Sequence, residues 1–575
     1  MRKGRGFLLL RGGSSRAALV ADAMDFAQLV SGTLVQLSSF GKERVMANRF
    51  ERESVAAAGA SSCADRVEFG LGASIPIGRS HDIGIDDPCA VADETRFTND
   101  AAMKIATVSP EAGELVEEGP VGSRDAARNS DYGRLDIGLP VEIARYKEQG
   151  DLKAARAACR EMLEGDIEPE LAACLRIEFH RMGRLGRQYR VDRGRALEMI
   201  CSEWPEFSDE QLDELIDRKR IDWRFIDGEQ RFLNNFLDSL RVYPAEVPGL
   251  LEEDAADMRT RDEMLAKMRA DGGASYLVTA RARIAVPGAL PGEMVRAWLP
   301  VPARSPQQSQ IELLSMSAGG VVAREDAPAR TVFWESRSER AFEVTYRYRI
   351  DAPYIDAYAP AGVERVGAPD PCPDDLAELR PHIRFTPFLR ALASRLVDGI
   401  ERPIDRARAI YDYLTSHVDY RYQPDYAQLD DIADNCAKSL RGDCGVMALT
   451  FITLCRIAGI PARWQSGLYV ACDYIGPHDW AMFYTEEYGW LWADVSFGSS
   501  ARRSGDETRR RHHFGNLDPW RMVANSAYQA AFEPDFDEVR WDPYDNQLGE
   551  ASVEGRGCDD VEMAREIELI ELRAL

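Results

Sequence analysis

No stretch of this 575-residue chain approaches the ~18 to 20 consecutive apolar residues that cross a bilayer. Its basic start, MRKGRGFLLLRGGSSR, holds an apolar run of only Phe7 to Leu10, too short for the hydrophobic region of a secretion signal. Cationic charge is also short: 71 Lys and Arg stand against 96 Asp and Glu, a net charge of -25. A nucleic-acid binder gains its affinity by neutralising phosphates, so this balance argues against nucleic acid as a partner and disfavours an anionic membrane surface. The eleven cysteines are odd in number and include no CxxC pair. That pattern fits free thiols in a reducing compartment better than a disulfide framework or a zinc site. The expectation is a cytoplasmic protein with no membrane or nucleic-acid partner, no metal and no cofactor.

What is present is globular in composition, 45% hydrophobic and 29% charged, and too long for a single core. Residues 1–135 alternate Ala, Gly, Ser and charges without a period, and read as a disordered or doubtful N-terminal extension. Residues 139–270 turn helical and read as an accessory domain. A Gly-Asp break inside LPVEIARYKEQGDLKAARAACREMLEGDI predicts a helical hairpin, and Ser208 with Gln211 predicts a capping box. Phe225, Phe232, Phe236 and Leu240 are spaced to meet in one core. From 275 to 352 the period becomes two. In AFEVTYRYRI, Phe342, Val344, Tyr346, Tyr348 and Ile350 share one face, as in a half-buried antiparallel strand of a small β-sandwich. A mixed α/β region spans 375–545, and 546–575 reads as an acidic tail with a short helix at DVEMAREIELIELRAL.

The chemistry concentrates at Arg441 to Trp464, RGDCGVMALTFITLCRIAGIPARW. A helix apolar on all sides should run from Cys444 to near Gly459, with Pro461 beyond it, and such a helix is central. Unpaired N–H groups and partial positive charge converge at its start. A thiol there is expected to lose its proton more readily and to act as a nucleophile, with the same N–H groups steadying an oxyanion. Asp443 reads as an N-cap, although its charge would oppose a thiolate. Gly442 and Gly445 read as room for substrate.

A nucleophilic cysteine needs a base and the base an orienter. Of seven histidines, His478 opens the strand-like run WAMFY; a turn at EEYG leads to a second strand, WLWADVSF. In that hairpin His478 and Asp494 should occupy matching positions on adjacent strands, where Cβ atoms lie ~5 Å apart. Asp494 would then fix the imidazole for Cys444. Cys455 reads as packing, Cys436 and Cys472 as having no redox or metal role, and His512-His513 as a solvated loop. Trp480, Tyr484, Trp490 and Trp492 read as core of the β layer.

G-x-C-G opening a helix, GIPAR closing it, and H-x-W…GW…D-x-S on the following strands resemble the transglutaminase-like superfamily, which is papain-like in its chemistry and includes bacterial cysteine proteases. The resemblance covers about 375–545, including FGNLDPWRMVAN and WDPYDNQLGE, and AWLPVP resembles the β domain that often precedes this core. It implies an α+β fold: a papain-like transglutaminase core, with a central helix packed on an antiparallel sheet, preceded by a small β-sandwich and a helical domain. It also implies a thioester on Cys444, with His478 as general base and acid and Asp494 as orienter. Val495-Ser496 follows Asp494 where many members have Pro-Thr or Pro-Ser, and Asp479 adds a charge beside His478. A second oxyanion donor is implied upstream of the helix, with Tyr420, Tyr422 and Gln423 all open. The expected function is a cysteine hydrolase acting on an amide in a peptide or protein substrate. Protein crosslinking by a transglutaminase, or a non-catalytic scaffold, are the alternatives. Peptide deglycosylation would call for zinc-binding cysteine pairs, which the chain lacks.

Overall fold

A computed structural model describes residues 104–107, 127–241, 255–359, 369–472, 474–536 and 538–575, all within one compact unit, 84–575. Most of the 1–135 extension lies outside them. Its described parts are ordered: Lys104–Thr107 is a strand, and Asn129–Ile137 is a short helix that buries Tyr132.

The helical segment builds its caps locally. Ser208 Oγ accepts from Gln211 N at 3.3 Å and the Gln211 side chain returns to Ser208 N at 2.8 Å, the capping box that the sequence predicts. At the Gly-Asp break, Asp151 caps the helix Leu152–Leu163. Phe232, Phe236 and Leu240 are buried in one cluster. Phe225 is not: it is 55% exposed. Asp227 and Gly228, both at positive φ, turn Trp223–Ile226 and Glu229–Phe232 into a two-residue hairpin. Asp-Gly is the turn such a hairpin favours, and it points Phe225 to the outer face.

The helix Pro169–Gln188 matters most for the site because it carries two buried arginines. Arg181 donates to the carbonyls of Ala427 and Leu429 and to Asp430, and Arg184 donates to Asp425 at 3.0 Å. Together they fasten the loop that leads to the central helix.

Two five-stranded sheets share one core. The strand Ala341–Pro353 buries Phe342, Val344, Tyr346, Tyr348 and Ile350 on the predicted face. Strands from the far C-terminus complete both sheets: Glu550–Val553 pairs with Val295–Pro300, and Ala564–Ala574 with Gly273–Ala285. The helix expected at DVEMAREIELIELRAL is therefore a strand. Its period of two is broken by a bulge between Leu569 and Glu571, which brings Leu569 and Leu572, three apart, to the same core face and imitates a helical pattern.

The helix Cys444–Ile457 is buried from Gly445 to Cys455. It packs on an antiparallel sheet ordered Phe514–Gly515, Gly489–Ala493, Ile475–Thr485, Ala462–Val470, Arg521–Asn525. Ala481, Phe483, Leu491 and Ala493 face the helix. Trp480, Met482, Trp490 and Trp492 form a separate core on the other face, with Tyr484 against it. The architecture is α+β, and among the described residues no helix is long and apolar enough to cross a membrane.

Candidate active site

Cys444 is the first residue of the central helix, and Asp443 caps it, Oδ1 accepting from Val446 N at 3.1 Å. The two flanking glycines make room for protein rather than substrate. A Cβ on Gly445 would lie 2.2 Å from Tyr426 Oη and 2.7 Å from Asp479 Oδ2, and one on Gly442 would lie 2.6 Å from Val446 Cγ1.

His478 and Asp494 are brought together: Nε2 and Oδ2 are 2.8 Å apart. They are not opposed in register. The hairpin pairs Ala481 with Ala493, so Asp494 follows the last paired position and lies two residues off His478. It reaches back because it caps the next helix, Val495–Arg503: Oδ1 accepts from Phe497 N at 2.9 Å and Ser496 Oγ at 2.8 Å, which leaves Oδ2 for the imidazole. Ser496, beside the departing Val495, thus supports the carboxylate.

Cys444 and His478 line one cavity of about 570 Å³, together with Tyr420, Tyr422, Tyr426, Tyr474, Phe497 and Trp520. They do not hydrogen-bond each other. Strand alternation turns Asp479 toward the helix and His478 toward the Trp480 face. The Cys444 thiol donates to Asp479 Oδ2 at 3.2 Å instead. Asp479 also accepts from Gln547 Nε2 at 2.7 Å and lies 3.4 Å from Tyr426 Oη, which donates to Asp443 Oδ1 at 2.6 Å.

These surroundings reverse one expectation. Burial first, then the charges of Asp479 and Asp443, push the Cys444 thiol well above its ordinary range despite its place at a helix start. Burial raises Asp443 to about 6, and burial with Asp545 and Asp443 raises Asp479. Burial lowers His478, opposed by Asp494. Burial alone would raise Asp494, but His478 and Arg521 hold it far below the carboxylate range. The resting site is thus a protonated thiol and a neutral imidazole. With Nε2–H held by an ionised Asp494, Nδ1 is the nitrogen free to accept a proton.

Arg521 is a residue that sequence reasoning missed. Fully buried, it donates to Asp494 Oδ2 at 2.6 Å and Asp518 Oδ2 at 2.8 Å. Its signal lay in the DPWR of FGNLDPWRMVAN, where an acid and an arginine sit three residues apart. His512 and His513 are not solvated. They are buried, and the carbonyl of His513 accepts from Asp494 N at 3.0 Å. The predicted loop is the short helix Glu507–His512, held by ion pairs of Arg510 with Glu507 and Asp412. Cys455 is buried as predicted. Among the described residues, eight cysteines are free thiols, whereas Cys472 is disulfide-bonded, against the reading of free thiols throughout. Of the open oxyanion donors, Gln423 spends its Nε2 on the carbonyls of Arg421 and Tyr422, while Tyr420 and Tyr422 line the cavity.

A central helix opening on a cysteine, laid against an antiparallel sheet with the histidine on one strand and the aspartate just past the end of the next, defines the papain-like class of fold. Residues 390–495 match the transglutaminase-like superfamily model, so this segment is a transglutaminase-like core. Among solved structures, the chain is similar to one described as a "Putative Cysteine Protease" from Cytophaga hutchinsonii, at 18% identity over 52% of this chain and 91% of that one, with a TM-score of 0.33. It is also similar to the periplasmic domain of TgpA from Pseudomonas aeruginosa, at 18% identity over 43% and 96% of the two chains, with a TM-score of 0.22. No curated protein matches the chain.

Proposed function

We propose that the protein is a cysteine-dependent acyl-transfer enzyme that attacks an amide in a peptide or protein and passes the acyl group to water. The observation that carries this reading is the 2.8 Å contact of His478 Nε2 with Asp494, on the wall of the cavity into which the Cys444 helix opens. An imidazole oriented in this way takes the thiol proton at Nδ1 as sulfur attacks the carbonyl carbon. N–H groups at the helix start offset the oxyanion. The C–N bond then breaks, the amine leaves with the proton from His478, and a thioester remains on Cys444. Water, deprotonated by the same imidazole, adds to the thioester. The acid departs and the thiol is restored.

Peptide-library profiling with and without an added primary amine, read by mass spectrometry, tests this directly. Cleaved or deamidated peptides without amine, lost in Cys444→Ser, are the expected result. Amine-adducted products only would transfer the reading to crosslinking. Identical product lists for wild type and Cys444→Ser would leave the fold as a scaffold.

A further inference from the structure

We propose that Asp479 is a latch on the nucleophile: in the resting site it holds the Cys444 Sγ–H on its own carboxyl and so away from the imidazole that activates it. This rests on Cys444 being the nucleophile and adds a regulatory element to the same site. The geometry that carries it is the destination of the thiol. Sγ donates to Asp479 Oδ2 at 3.2 Å, while His478, on the same cavity wall, receives no hydrogen bond from it and is committed through Nε2 to Asp494.

The latch is built in place. Gln547 Nε2 fixes the other oxygen of Asp479 at 2.7 Å, and Gly445 leaves the space in which that carboxyl and Tyr426 Oη meet the helix start. The groups facing the sulfur are Asp479 from its strand, Asp443 from its own cap, and Tyr420, Tyr422, Tyr426 and Tyr474; His478, Arg261 and Arg509 line the same cavity, and Asp545 acts on Asp479. Of these, Asp479 and Asp443 are the charges that act most strongly on the sulfur, and both oppose a thiolate. The site is therefore quiet until the sulfur swings off Asp479 toward Nδ1.

The latch predicts a gain of reactivity on losing a polar contact, which simple damage to the site does not produce. The test is the rate of Cys444 alkylation by iodoacetamide in the full chain against pH, located by peptide mapping. Asp479→Ala should label Cys444 at least tenfold faster than wild type at pH 7, with its midpoint at least one pH unit lower, a tenfold change in thiolate fraction corresponding to about one unit. Adding His478→Ala should abolish the gain. An Asp479→Ala rate equal to or below wild type overturns the latch and makes Asp479 a structural group or the proton acceptor itself. If Cys444 labels no faster than the exposed cysteines in either protein at any pH, the nucleophile reading falls first. The second measurement needs no stable variant at position 479. In the infrared difference between wild type and Cys444→Ser at pH 7, a red-shifted S–H band supports the latch, and an absent band overturns it.

Discussion

Asp494 divides its two oxygens between His478 and a helix. Oδ2 meets His478 Nε2 at 2.8 Å and Arg521 at 2.6 Å, while Oδ1 caps Val495–Arg503 through Phe497 N and Ser496 Oγ. The group that orients the candidate base is thus rigid because it is also a cap. Arg521 then keeps its charge from acting on the imidazole alone.

Replacing Arg521 exposes that balance. Arg521 lowers the His478 pKa and Asp494 raises it, so Arg521→Met leaves Asp494 unopposed and His478 more basic. The acid limb of Cys444 labelling, set by protonation of His478, should move to higher pH. The variant should also lose about 3–5 kcal/mol of stability, since it strands Asp494 and Asp518 in the interior. A pH profile of alkylation and a urea melt read the two effects separately. An unmoved acid limb would mean that the imidazole does not sense this pair.

Gly445→Ala places a methyl where Tyr426 Oη and Asp479 Oδ2 already stand, at 2.2 and 2.7 Å. Overpacking of this kind costs about 1–3 kcal/mol. Both side chains should be driven from the helix start, so the variant should melt at a lower temperature and, with the Asp479 carboxyl moved off the thiol, label Cys444 faster than wild type. A variant as stable as wild type would show that the loop around Tyr426 yields freely.

The central helix was legible because its evidence is local: an uninterrupted apolar run, Asp443 before it and Gly459 after it. The capping box at Ser208 and the alternation from Phe342 to Ile350 were legible for the same reason. The strand Ala564–Ala574 was not, because its partner lies near residue 280 and its bulge disguises the period. Buried charge was the other blind spot. Only Asp518, three residues away, hints that Arg521 is interior; its other partner, Asp494, is distant in sequence, and His512 is enclosed by the fold around it. At the site, the three residue types were readable, but the direction of the thiol was not. It depends on which face of the strand carries Asp479.

Arg184 links the helical segment to the site. Buried at 1% exposure, it pairs with Asp425 and stacks over Trp541 at 3.8 Å, and both partners border the cavity. Arg184→Met should cost several kcal/mol, on the order of the 3–5 for breaking one side of a buried pair. It should also slow Cys444 labelling, because the loop carrying Tyr426 loses an anchor. Differential scanning calorimetry with peptide mapping checks both. Loss of stability with an unchanged labelling rate would show that the helical segment does not support the site.

Asp443→Asn separates the capping role of this residue from its charge. Asn caps a helix as well as Asp does, so the first turn should persist. Burial raises Asp443 from 3.8 to about 6 in the folded protein. Between those values the folded state binds more protons than the unfolded chain, so this group favours folding at pH 4 and loses that contribution as pH rises through 6. Asn does not titrate, and the other buried acids and histidines are common to both proteins and cancel in the difference. Relative to wild type, the Asn variant should therefore gain stability between pH 4 and pH 7. The gain should reach up to about 3 kcal/mol, the equivalent of two pKa units. Urea melts of both proteins at pH 4, 5, 6 and 7 supply the comparison. A difference that stays flat over this range would mean that Asp443 is already ionised without penalty. Its charge would then stand permanently beside the Cys444 sulfur.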